Sequence, residues 1–242
     1  MTMSIYLAVD KPSKEEAEKI LDIFEGERIP VKIGMELFFR EGATFIESLV
    51  EKGYPVFLDV KCHDIPVTIY RTMKNLAKLG VEMVNVHAAG GSDMMRAALE
   101  GLEAGAGTGK ARPKLIAVTQ LTSTSECQMN EEQGIEGQVL DSVIRYANLA
   151  HIAGLDGVVC SALECEAIRK VVSKDFLLVT PGIRFKDSES HDQKRIVTPF
   201  EAKKVGASHI VVGRPITKAA NPLAAYKKIQ RDWEAVFDEC QS

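Results

Sequence analysis

Eight short, mostly apolar runs recur along the chain and read SIYLAVD, PVKIG, PVFLDVK, EMVNVHA, KLIAVTQ, DGVVCS, FLLVTPG and SHIVVGR. Val, Ile and Leu dominate them without clean polar alternation, the pattern of parallel strands covered by helices. Between the runs, apolar residues fall at helical spacing. Ile65, Ile69, Met73 and Leu76 form one such stripe, with Pro66 near the helix start, where its missing N–H costs little. Val139, Val143, Tyr146, Ala147 and Ala150 form another, which stops at Gly154. Gly26, Gly53, Gly80 and Gly206 stand at similar helix-to-strand junctions. Eight β-then-α units in 242 residues predict an α/β chain folded as a (β/α)8 TIM barrel, one domain over residues 1–242. An open doubly wound sheet is the alternative, but no G-x-G-x-x-G follows the first run. Two polar connections, from Gln120 to Gly137 and from Pro181 to Pro199, have the length of functional lids or disordered segments.

Composition narrows the partners. Apolar residues make up 45% and charged residues 26%, ordinary globular values. The net charge is −4, with Lys and Arg dispersed, which argues against nucleic acid and against an anionic membrane surface. The start MTMSIYLAVD lacks a secretory pattern, and no apolar stretch approaches the roughly 18–20 residues of a membrane span. A soluble cytoplasmic protein is expected. Cys62, Cys127, Cys160, Cys165 and Cys240 form an odd set without paired C-x-x-C spacing, so free thiols are expected rather than disulfides or a zinc site.

The polar residues that interrupt or end the runs carry the chemistry. They are Asp10, Lys32, Asp59 with Lys61, His87, Thr119 with Gln120, Ser161, Thr180 and Arg214. In the predicted barrel these strand ends converge on one mouth, where catalytic groups of this architecture lie. For Ser161 or Thr180 alone, helix capping explains the residue equally well. Lys32 and Lys61 lie inside apolar runs, where an unpaired ammonium is costly to bury. Asp59 and Asp64 can partner Lys61, and Asp10 can partner Lys32 from the neighbouring strand. The competing reading of this array is a structural salt-bridge network. The run VVGRPIT places Gly213 and Arg214 at the start of a helix, and TPGIR places Gly182 and Arg184 beside them. Together they suit an anionic, phosphate-bearing ligand. His63 and His87 lack metal-ligand spacing, so no metal is expected, and Cys62 should point away from Lys61 as a packing residue.

At FLDVKCHDIPVT the sequence resembles the orotidine 5′-phosphate decarboxylase family in its bacterial form, and the likeness extends through LAVD, VKIG, NVHA, TQLTS, VCSALE, TPGIR, DQKRIVTP and VVGRPIT. The resemblance implies decarboxylation of orotidine 5′-monophosphate to UMP without a cofactor, in a homodimer with its active sites at the interface. It makes Lys61 the proton donor to C6 of the pyrimidine and sets Asp59 against the departing carboxylate. Asp64 reaches in from the partner subunit, and Thr68 contributes to the neighbouring site. Asp10 and Lys32 contact the ribose, Lys32 also belonging to the charged array. Thr122 contacts the pyrimidine, Gln193 closes over the phosphate, and Arg184, Gly213 and Arg214 bind it. Val67 stands where the family often has asparagine, and Cys62 where it often has a larger apolar residue. Competing readings are a Mg²⁺-dependent keto-sugar-acid decarboxylase, a Schiff-base aldolase using Lys61 or Lys32, and a non-catalytic nucleotide sensor. A lysine at position 32 opposes the cation of the first.

Overall fold

The computed structural model describes residues 4–184 and 197–235. Eight parallel strands close into a barrel in sequence order: β1 (Ser4–Ala8), β2 (Val31–Gly34), β3 (Val56–Cys62), β4 (Met83–His87), β5 (Lys114–Val118), β6 (Gly157–Val159), β7 (Leu177–Pro181) and β8 (His209–Val212), with β8 pairing back to β1. The predicted barrel is therefore present.

Helices cross over between the strands. They are α1 (Lys14–Leu21), α2 (Met35–Glu51), α3 (Pro66–Leu76), α4 (Gly91–Gly105), α5 (Glu126–Glu131), α6 (Val139–Ile152), α7 (Ala162–Arg169), α8 (Pro199–Lys204), α9 (Arg214–Thr217) and α10 (Pro222–Glu234). None of those described is long and apolar enough to cross a membrane.

Strand alternation splits the apolar residues into two layers. Leu7, Leu58, Val84, Leu178 and Ile210 face outward into the core beneath the helices. Tyr6, Phe57, Met83, Ile116, Leu177 and Val179 face inward and fill the barrel. On β3 the same alternation sends Asp59 inward and lets Cys62 pack on the outer core, as expected of that cysteine. α3 and α4 lie close because α4 presents glycine to α3: a Cβ on Gly101 or Gly105 would collide with the carbonyl of Tyr70 or Lys74.

Two expectations need correction. Ile65 does not extend the apolar stripe of α3. It is the extended residue before Pro66 and is 62% exposed, whereas Ile69, Met73 and Leu76 are buried. The connection from Gln120 to Gly137 is not structureless, because it holds α5, whose first turn is capped by the Ser125 hydroxyl accepting from the Gln128 N–H at 3.1 Å. Ser161 caps α7 in a capping box with Glu164, which is the structural reading of that residue. Cys62, Cys127, Cys160 and Cys165 are free thiols.

At the base of the barrel, His209 is 6% exposed and its Nδ1 accepts the Ser4 N–H at 3.0 Å. Its ring meets Tyr6 edge-on, and the Tyr6 hydroxyl donates to Glu82 at 2.9 Å. Burial pushes the His209 imidazole down from 6.5 to about 4. Below pH 6.5 the unfolded chain takes up a proton that the folded chain refuses. Stability is thus full above that pH and falls as pH drops toward 4, by about 3 kcal/mol from this group. Urea unfolding at stepped pH should show this slope, and His209→Gln should remove most of it. An unchanged slope in that variant would count against the assignment.

Candidate active site

Strand order places the charged residues next to one another. Lys32 on β2 stands between Asp10, just beyond β1, and Asp59 on β3; its Nζ lies 2.6 Å from Asp10 Oδ1 and 3.6 Å from Asp59 Oδ2. The other oxygen of Asp59 accepts from Lys61 Nζ at 2.7 Å. The result is an alternating Asp10, Lys32, Asp59, Lys61 row across three neighbouring strands. Asp59 is largely buried, its side chain 15% exposed, while Asp10 is open to solvent at 62%. Burial would push the Asp59 carboxyl up. Lys32 and Lys61, with the hydrogen bonds from Lys61 and Asn85, outweigh it and hold the group below its ordinary value.

Lys61 owes its place to a break in the strand ladder. Leu58 pairs with Val84 and Cys62 with Val86, so four steps along β3 match two along β4. Within this bulge Lys61 takes φ +48°, the left-handed region that a residue with a side chain enters at a cost. Bulges beside active sites re-aim side chains in this way. The Lys61 N–H is bound by Asn85 Oδ1 at 2.7 Å, while Asn85 Nδ2 donates to Asp59 Oδ1 at 2.7 Å. Asn85 was not among the sequence candidates. Its only signal was a neutral polar residue at an inward position of MVNVH.

These groups line a cavity of about 280 Å³ at the mouth of the barrel. Asp10, Lys32, Asp59 and Lys61 form one part of its wall, Gln120 and Thr122 after β5 another, and Arg184, Gly213 and Arg214 after β7 and β8 a third. Gly213 admits no larger residue without crowding: an added Cβ would lie 3.3 Å from that of Ala8. The chain entering and leaving residues 185–196 is pinned by a bridge between Ile183 and Val197, with Arg184 N–H donating to the Val197 carbonyl at 3.1 Å. Gln193 lies outside the described residues.

Asp64 and Thr68 do not join this cavity within the chain. The chain turns out of β3 at Asp64, whose carboxylate accepts from the Ile65 N–H at 2.7 Å, so the expected pairing with Lys61 is not made. Both residues are exposed, beside the exposed Ile65 and Val67. His87 ends β4 with its ring 5.8 Å from that of His63. Burial first, then His63 and Lys61, keeps it below the usual imidazole range. No three His, Cys, Asp or Glu side chains among the described residues gather as a metal site requires.

The sequence model of the orotidine 5′-phosphate decarboxylase/HUMPS family matches residues 3–229. The orotidine 5′-phosphate decarboxylase of Bacillus cereus strain B4264 is 55% identical over 236 residues, covering 98% of this chain and 99% of that protein. The crystal structure of orotidine 5′-phosphate decarboxylase from Lactobacillus acidophilus superposes with a TM-score of 0.88 at 42% identity, over 96% of this chain and 99% of that one. An uncharacterized conserved protein from Geobacillus kaustophilus gives 0.86 at 46% identity, over 95% and 99%. With a matching family model over nearly its whole length and a relative sharing more than half its residues, the chain belongs to the orotidine 5′-phosphate decarboxylase/HUMPS family.

Proposed function

We propose that this protein decarboxylates orotidine 5′-monophosphate to UMP in pyrimidine biosynthesis, in the cytoplasm and without a cofactor. The observation that carries the reading is the alternating Asp10, Lys32, Asp59, Lys61 row in the wall of a cavity that Arg184 and Arg214 also line. Loss of CO2 from C6 of the pyrimidine leaves a carbanion in the ring plane with no adjacent carbonyl to delocalise it. Such a charge is best met by a cation already in position. Lys61 supplies that cation and then the proton that C6 takes up. Asp59, fixed by Lys32, Lys61 and Asn85, faces the substrate carboxylate and is relieved of its repulsion as neutral CO2 departs. Asp10 and Lys32 hold the ribose hydroxyls, and Thr122 the pyrimidine.

Arg184, Gly213 and Arg214 receive the phosphate, away from the reacting carbon. Binding energy gathered there orders the site for the chemical step. The turn carrying Asp64, Ile65, Val67 and Thr68 docks on a second copy: it presents two exposed apolar residues beside a carboxylate turned away from its own cavity. Asp64 thereby serves the partner subunit.

The test is an ultraviolet assay with orotidine 5′-monophosphate on protein fractionated by size. Turnover is expected in the dimer fraction. No turnover with this substrate would overturn the assignment, and full activity in a monomer fraction would overturn the shared site.

A further inference from the structure

Where β3 bulges away from β4, the strand ladder supplies no backbone acceptor for the Lys61 N–H. Asn85, on β4 between the two paired residues Val84 and Val86, supplies one from its side chain. The same amide turns its NH2 to the Asp59 carboxylate. Asn85 is completely buried, and its two partners are the residues whose relative placement decides the chemistry. Asn85 spans the bulge by joining the backbone N–H of one reacting residue to the side-chain carboxylate of the other.

We propose that Asn85 is a positioning residue for the decarboxylation: its side-chain amide holds Lys61 in its left-handed conformation and locks the Asp59 carboxylate against the Lys61 ammonium. This rests on the reading of Lys61 and Asp59 given above. Asn85 touches no substrate. Its removal therefore lowers kcat and leaves substrate binding, which Arg184 and Arg214 dominate, nearly unchanged.

Asn85→Asp preserves size and the acceptor for the Lys61 N–H but turns the donor toward Asp59 into a second oxygen. The charged groups that face the introduced carboxyl are Asp59 and Lys61 from β3, with His87 on β4 itself and Lys32 on β2 behind Asp59. Near neutral pH two carboxylates oppose each other and kcat falls. At lower pH the pair takes up a proton, an O–H donor is restored and kcat recovers.

The experiment measures kcat and KM of Asn85→Asp and Asn85→Ala with orotidine 5′-monophosphate from pH 5 to 8, with circular dichroism to establish folding. The expected result is a fall in kcat of about 10- to 100-fold in both at pH 7, the loss typical when a hydrogen bond to a charged group is removed. KM should stay within about threefold, because uniform binding is untouched. The aspartate variant alone should recover toward acid pH. Folded variants with wild-type kcat, or a loss confined to KM, would overturn the proposal.

If neither variant folds, the unaltered protein decides. The Lys61 amide must exchange slowly with deuterium, and free exchange there overturns the role. Lys61→Ala, measured alongside, separates the two readings. Near-normal turnover in it sinks the parent assignment, whereas a dead Lys61→Ala beside fully active Asn85 variants sinks only the role of Asn85.

Discussion

Lys61→Ala is expected to abolish turnover, lowering kcat by at least about 10⁴-fold, or about 5 kcal/mol of transition-state stabilisation. The substitution removes the cation that meets the charge developing at C6 and the proton that later fills that position. Asp59 keeps a weaker partner in Lys32 at 3.6 Å, so the wall of the cavity retains its shape. The phosphate contacts at Arg184 and Arg214 lie on another part of the cavity. UMP should therefore bind the variant within about threefold of the wild type, as expected when an interaction made only in the transition state is lost. Calorimetric titration with UMP and a turnover assay check the two halves separately. Lys61→Arg should not rescue, since a planar fork replaces a compact ammonium 2.7 Å from Asp59. Near-normal turnover in the alanine variant would remove Lys61 from the chemistry altogether.

Arg214→Ala should produce a different kind of loss. A guanidinium facing phosphate makes charge-assisted, often bidentate hydrogen bonds worth about 1.5–3 kcal/mol each. Its removal should lower kcat/KM for orotidine 5′-monophosphate by about 10²- to 10³-fold, with most of the change in KM. Part of the fall should reach kcat, because phosphate binding also helps to order the site. Orotidine without its phosphate separates the two contributions: wild type and variant should process it equally slowly. If Arg214→Ala slowed that truncated substrate as severely as the full one, Arg214 would be acting on the reacting ring and not on the phosphate. Arg214→Lys should recover only part of the loss, because a point charge replaces the fork.

The barrel and most of its cavity wall were legible in the sequence, for one physical reason. A lysine inside a run of Val, Ile and Leu has to be partnered, so Lys32 and Lys61 announce Asp10 and Asp59. Asn85 gave no such alarm. A neutral amide in a strand is tolerable in many settings, and its partners come within reach only because β3 slips against β4, a register change that no residue type encodes. At Ile65 helical spacing continues numerically into the turn before Pro66, where the backbone is already extended, so spacing alone does not mark the helix start. The short helix α5 leaves no mark in the apolar pattern although Ser125 and Gln128 carry a capping pair, because six residues are too few for a period to register. For Asp64 the spacing suggested a pairing with Lys61 that the chain does not make, and its role across a subunit boundary, like that of Thr68, came from resemblance alone.

The left-handed backbone at Lys61 bears on transplanting this chemistry. Writing Asp-x-Lys-x-x-Asp into a regular strand of another barrel would copy the residue types but leave the lysine on an ordinary extended backbone, its N–H taken by the ladder. The graft would need two extra residues in the host strand and a buried side-chain acceptor on the next one, and the host would have to be stable enough to carry the strained residue. The portable unit is thus a pair of adjacent strands with their mismatch, not a six-letter motif.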